Sequence, residues 1–119
     1  MSSRPSAFNL SITREYARRL IAIIQTYRRF SWEHIAPSAE RNAVIRSLQA
    51  VQGKLMENSN QQSDPIILPV TVDERIAIQT MALDLRRWYA SQPATQEQKA
   101  IIADLSWLAA YIERVISSR

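Results

Sequence analysis

The 119-residue chain contains no cysteine, and glycine and histidine occur once each, as Gly53 and His34. Without thiols there can be no disulfide scaffold, thiolate zinc site, iron–sulfur cluster, cysteine nucleophile or covalent haem attachment. A lone glycine removes the glycine-rich phosphate loops and most two-residue β-hairpin turns. A lone histidine leaves no Glu-x-x-His pair for a bundle metal centre, and no glycine-flanked serine accompanies it in a nucleophile elbow. The expectation is therefore a protein without metal or cofactor. Long apolar runs are missing too: nothing approaches the eighteen or so residues of a membrane span. Met1 to Leu10 is polar and broken by Pro5, unlike a secretory leader. These two features point to a cytoplasmic location with no membrane partner.

What the chain does hold is an ordinary globular balance, 46% hydrophobic and 22% charged, enough for one compact domain. The net charge is +4, and all of the excess lies in the first 35 residues, where Arg4, Arg14, Arg18, Arg19, Arg28 and Arg29 face only Glu15 and Glu33. Among basic residues only Lys54 and Lys99 are lysine. Arginine favours bidentate contact with carboxylate or phosphate and tolerates partial burial.

Hydrophobic periodicity divides the chain into four amphipathic helices. After an N-terminal arm (residues 1–8), Tyr16, Leu20, Ile23, Tyr27 and Phe30 repeat at helical spacing, which predicts a first helix over about 12–30, capped by Asn9 or Ser11. Pro37 ends the connection that follows, and Ser38 caps a second helix over about 39–58 with Val44, Leu48, Val51 and Leu55 on its core face. Gly53 lies inside that pattern and weakens the helix; a close helix crossing would use it, but simple tolerance ranks first. Residues 57–65, ENSNQQSDP, read as a surface loop.

Ile66 to Val70 is apolar and β-branched. No second strand-like run is evident to pair with it, and Pro69 argues against a central strand. An extended segment packed over the helices is the expectation. Thr71–Glu74 and Thr95–Gln98 are capping-box patterns that open a third helix over about 72–91 and a fourth over about 96–117. Ile78, Met81, Leu85 and Trp88 form one core face; Ile101, Leu105, Leu108, Ile112 and Val115 form the other. The fold class is all-α: a four-helix bundle of residues 9–119, up-down-up-down, as a single domain. Two splayed hairpins completed by a second subunit are the alternative.

Candidate functional residues fall into three groups. Arg14, Arg18, Arg28 and Arg29, with Gln25, line the first helix beside its core face, and from Arg14 to Arg29 the strip runs about 22 Å. Such a row suits phosphates or an acidic protein, and a solvated basic face partly neutralised by Glu15 and acids elsewhere ranks ahead of both. Tyr16 and Tyr27 belong to the core stripe, so bases have no aromatic partner there. Second, Val72, Ile76, Leu83 and Ala90 make a further apolar face on the third helix, and Trp107 lies off the core stripe of the fourth. This is more apolar surface than one bundle core requires and marks a candidate interface. Third, Asp104 stands at the margin of an apolar stripe, where a carboxylate needs a donor. A structural ion pair with Arg18, Arg41 or Arg86 ranks ahead of acid–base work beside Glu97.

These observations rank a non-enzymatic interaction or structural protein first, acting through protein–protein contact as a homodimer. A nucleic-acid accessory protein using the first-helix arginines comes second. A small enzyme holding an anionic substrate in an arginine-lined cleft comes third.

Overall fold

The computed structural model of the chain describes residues 8–58, 65–93 and 95–117, with side chains described from Asn9 to Arg114 within those ranges. The elements run β1 (Phe8–Ile12), α1 (Arg14–His34), α2 (Ala39–Asn58), β2 (Ile66–Val70), α3 (Val72–Ala90) and α4 (Gln96–Ser117). The class is all-α, as the periodicity requires, with a two-stranded antiparallel sheet added to the four helices. Among the described residues no helix is long and apolar enough to cross a membrane. The chain divides into two compact units, Met1–Ala77 and Ile78–Arg119.

In the first unit, the apolar segment 66–70 has a partner after all. β2 pairs antiparallel with β1, with Leu10 opposite Leu68 and Ile12 opposite Ile66. Leu10 and Ile12 are buried, as are Ile66, Leu68 and Val70, whereas Asn9, Ser11, Ile67 and Pro69 face outward. This period-two alternation is the pattern of a half-buried strand. Pro69 is tolerated because each strand of a two-stranded sheet has an unpaired edge, where a missing N–H costs no ladder bond. The expected N-terminal arm is thus shorter by at least Phe8, which opens β1, while residues 1–7 lie outside the described residues. Asn9 and Ser11 belong to the strand, so the α1 cap falls to Thr13, whose Oγ1 accepts the Tyr16 N–H at 3.0 Å.

α1 packs on α2, and β2 lies against α2 as well. The buried face of α1 is Tyr16, Ala17, Leu20, Ile24, Tyr27 and Ser31. It is rotated from the expected stripe, for Ile23 and Phe30 are only half-buried. α1 also continues four residues past Phe30. Ser31 Oγ donates to the Arg28 carbonyl at 3.1 Å, Ile35 N–H bonds back to the Ser31 carbonyl, and Ile35 turns extended at the C-cap. Pro37 biases only the residue before it away from the helical region, so the helix runs on to His34. On α2, Leu48, Val51 and Leu55 are buried as expected, and Ser38 Oγ accepts the Arg41 N–H at 3.0 Å. A Cβ on Gly53 would meet nothing within 4 Å. Glycine there serves no close helix crossing.

Lys54 fastens α2 to the junction of β2 and α3. Its Nζ donates to Glu74 Oε1 at 2.6 Å and to the Pro69 carbonyl at 2.9 Å. Glu74 completes the expected capping box: its Oε1 accepts the Thr71 N–H at 2.9 Å, and its own N–H donates to Thr71 Oγ1 at 3.0 Å.

In the second unit, α3 buries Ile78, Met81, Ala82 and Leu85, and α4 buries Leu105, Leu108 and Ile112. Trp88 and Ile101 are half-buried, and the Val115 side chain lies outside the described residues. The second capping box is half made. Thr95 Oγ1 accepts the Gln98 N–H at 3.1 Å, but Gln98 Oε1 is buried without a hydrogen-bond partner.

Candidate functional site

The extension of α1 to His34 carries its helical face past the arginines. Gln25, Arg28, Arg29 and Trp32 stand at positions i, i+3, i+4 and i+7, one side of a helix. Opposite them, α2 presents Arg41, Asn42, Ile45 and Gln49 at positions i, i+1, i+4 and i+8. Together with Ser31 these residues line a cleft of about 460 Å³ in the first unit. That volume is within the range of small-ligand pockets.

The electrostatics of the lining are one-sided. Among the described residues, three guanidinium groups line the cleft and no carboxylate does. Arg28 reaches Gln52 Oε1 at 3.5 Å, and among the described residues neither Arg28, Arg29 nor Arg41 forms an ion pair. Arg28 and Arg29 are in the last two turns of α1, where the negative end of the helix dipole favours cations. Arg41 is held in place: Nη1 donates to the Ile35 carbonyl at 3.2 Å, Nη2 to Asn42 Oδ1 at 3.4 Å, and Cζ lies 5.5 Å from the centre of the Trp32 ring. Its Nε is buried and makes no hydrogen bond. A guanidinium clamped in this way loses little side-chain entropy when it binds an anion. Trp32 itself is 78% exposed, so Arg41 occupies one ring face and leaves most of the indole to solvent.

Of the arginine strip read from the sequence, Arg28 and Arg29 come together in this cleft, and Arg14 and Arg18 lie outside its lining. Arg14 is half-buried at the start of α1, Arg18 is exposed, and Glu15 is engaged by Arg19 at 2.8 Å. Arg41 and Trp32 were not expected here. With the first helix ending at residue 30, Trp32 and His34 belong to a connection and share no face with Arg28. His34 is in fact the last residue of α1, exposed, with Nε2 3.8 Å from Glu33 Oε1 and its ring 5.2 Å from Phe30.

The second apolar face of α3 is open. Val72 and Ile76 are each 46% exposed and Leu83 is 38% exposed, and Ala90 is exposed as well. Trp107 is 42% exposed on α4 and stacks on Tyr111 at 5.2 Å, with Arg114 over the Tyr111 ring. Asp104 is half-buried on α4. No group of three or more His, Cys, Asp or Glu side chains converges on a metal position among the described residues.

No family model matches the chain, and no curated protein or solved structure is significantly similar to it.

Proposed function

We propose that this protein is a non-enzymatic binding module that receives an anionic group of a partner in the α1–α2 cleft. The observation that carries this reading is the convergence of Arg28, Arg29 and Arg41 on one cleft with no carboxylate among the described residues of its lining. Like charges gathered without counter-charges favour an anion that can accept several charge-assisted hydrogen bonds. A binding role is favoured over the arginine-lined enzyme because the lining holds no imidazole or carboxylate to serve as base. Its only hydroxyl, that of Ser31, is buried and donates to a backbone carbonyl.

Inorganic polyphosphate, which has neither bases nor peptide groups, is the direct probe. Calorimetry at low salt should show binding that weakens steeply as salt rises. Arg28→Gln/Arg29→Gln/Arg41→Gln should lose about 100-fold or more of that affinity, since each charge-assisted bond contributes roughly 1.5–3 kcal/mol. Equal binding by the wild type and the triple variant would end this reading.

A second reading is self-association as a homodimer through Val72, Ile76 and Leu83, favoured by their exposure on one face of α3. Light scattering at micromolar concentration should then report a dimer that Ile76→Glu converts to monomer. A wild-type monomer rules this out.

A further inference from the structure

The cleft contains more than a simple anion requires. An inorganic anion or an acidic peptide is served by the three guanidinium groups alone, yet the same lining presents an indole that is 78% exposed and the primary amides of Gln25 and Gln49, beside Asn42, whose Oδ1 accepts from Arg41. Arg41 covers one face of Trp32 at 5.5 Å; a planar ligand has the other. Amides are both donors and acceptors and can pair with the edge of a heterocycle, whereas a carboxylate or phosphate calls only for donors. Outside the cleft, exposed Arg18 continues the basic face of α1, about 16 Å before Arg29 at 1.5 Å per residue. An anion filling only the cleft would not reach it. A cationic track leading to an aromatic platform is the design that binds single strands with little sequence preference.

We infer that the cleft holds one nucleotide of a single-stranded nucleic acid. The base stacks on the open face of Trp32, the adjoining phosphate lies between Arg28 and Arg29, and the strand continues along α1 toward Arg18. This inference rests on the anion-binding reading of the same cleft and adds the base and the strand to it.

The test uses the full chain and fluorescence anisotropy. The probes are a labelled oligothymidylate and an oligouridylate of about twelve nucleotides, with thymidine and uridine monophosphate, a duplex of equal length, polyglutamate and inorganic polyphosphate as competitors. Circular dichroism confirms that each variant is folded. Trp32→Ala should weaken the single strands roughly 5- to 150-fold, the range for one base–aromatic stack, and polyphosphate by a clearly smaller factor, because the ring is only one of the three contacts that hold Arg41; an equal loss for both refutes stacking. Arg28→Gln/Arg29→Gln should weaken both. Arg18→Gln should weaken the strands and leave the monophosphates unchanged.

The failures are separable. If Trp32→Ala leaves the strands unaffected while the arginine variant weakens strands and polyphosphate alike, stacking is refuted and anion binding stands. If polyglutamate or duplex competes better than the single strands, or the monophosphates bind as tightly as they do, the strand is refuted and anion binding again stands. If the arginine variant changes nothing, or no anion binds at low salt, both readings fall.

Discussion

The bond between Lys54 and Glu74 can be weighed quantitatively. Glu74 keeps only 8% of its side-chain surface exposed, and Lys54 keeps 30%. Replacing Lys54 by Met preserves the aliphatic stem but leaves a desolvated carboxylate that still accepts the Thr71 N–H at 2.9 Å. It also removes the 2.9 Å bond to the Pro69 carbonyl. Breaking one side of a fully buried pair costs about 3–5 kcal/mol. Because water still reaches Lys54, the expected loss is about 3 kcal/mol, the low end of that range. Glu74→Gln keeps a side chain suited to the capping box and exchanges a charge-assisted bond for a neutral one, at about 1.5 kcal/mol. The two losses should not add. In Lys54→Met/Glu74→Gln the uncompensated charge is gone, so a coupling energy of about 1–2 kcal/mol is expected for groups in direct contact. Urea denaturation followed by circular dichroism measures this as shifts in Cm at constant m. A loss below about 0.5 kcal/mol for Lys54→Met with an additive cycle would place the pair among solvent-screened surface bridges. The fastening of β2 and residues 71–74 to α2 would then need another cause.

Three further outcomes follow from the packing. Gly53→Ala should stabilise the protein by about 1 kcal/mol in the same assay, because a Cβ there meets nothing and alanine is the better helix former; a loss of stability would mean the position is tighter than it stands. Leu10→Ala should cost about 3 kcal/mol, as for a buried leucine in a core, and an unchanged Cm would mean that β1 adds nothing to the core. Thr71→Ala should cost about 1–2 kcal/mol and Thr95→Ala about half as much, since the first capping box is reciprocal and the second is made from one side only. Equal losses would show that the reciprocal bond adds nothing.

The positions of the helices could be read from the sequence because their determinants are local. A capping residue and its N3 partner are three residues apart, and a core stripe repeats within a single turn, so Ser38, Thr71 and Thr95 mark helix starts without reference to the rest of the chain. The α2 start at Ala39 and the α4 span Gln96–Ser117 agree with that reading. The exposed face of α3 is legible for the same reason: Ile76 and Leu83 lie off the stripe of Ile78, Met81 and Leu85, and remain solvent-accessible.

Other features needed contacts between distant residues. The alternation of Phe8, Leu10 and Ile12 with Asn9 and Ser11 is a strand pattern, but only five residues long and equally readable as the lead-in to a helix. Pairing with residues 66–70, more than fifty positions away in the chain, is what makes it a strand. The buried face of α1 could not be placed to within one residue, because an apolar stripe about 100° wide permits a small rotation; in the folded chain Ile24 and Ser31 are buried, and Ile23 and Phe30 only half so. The cleft depended on both kinds of information. The sequence alone determined that arginines crowd the first helix, since charge is counted and not folded. That Trp32 shares their face follows from α1 running on to His34, which the local bonds of Ser31 and Ile35 allow; that Arg41 meets it from α2 was decided by the tertiary structure, because a cleft exists only where two helices approach.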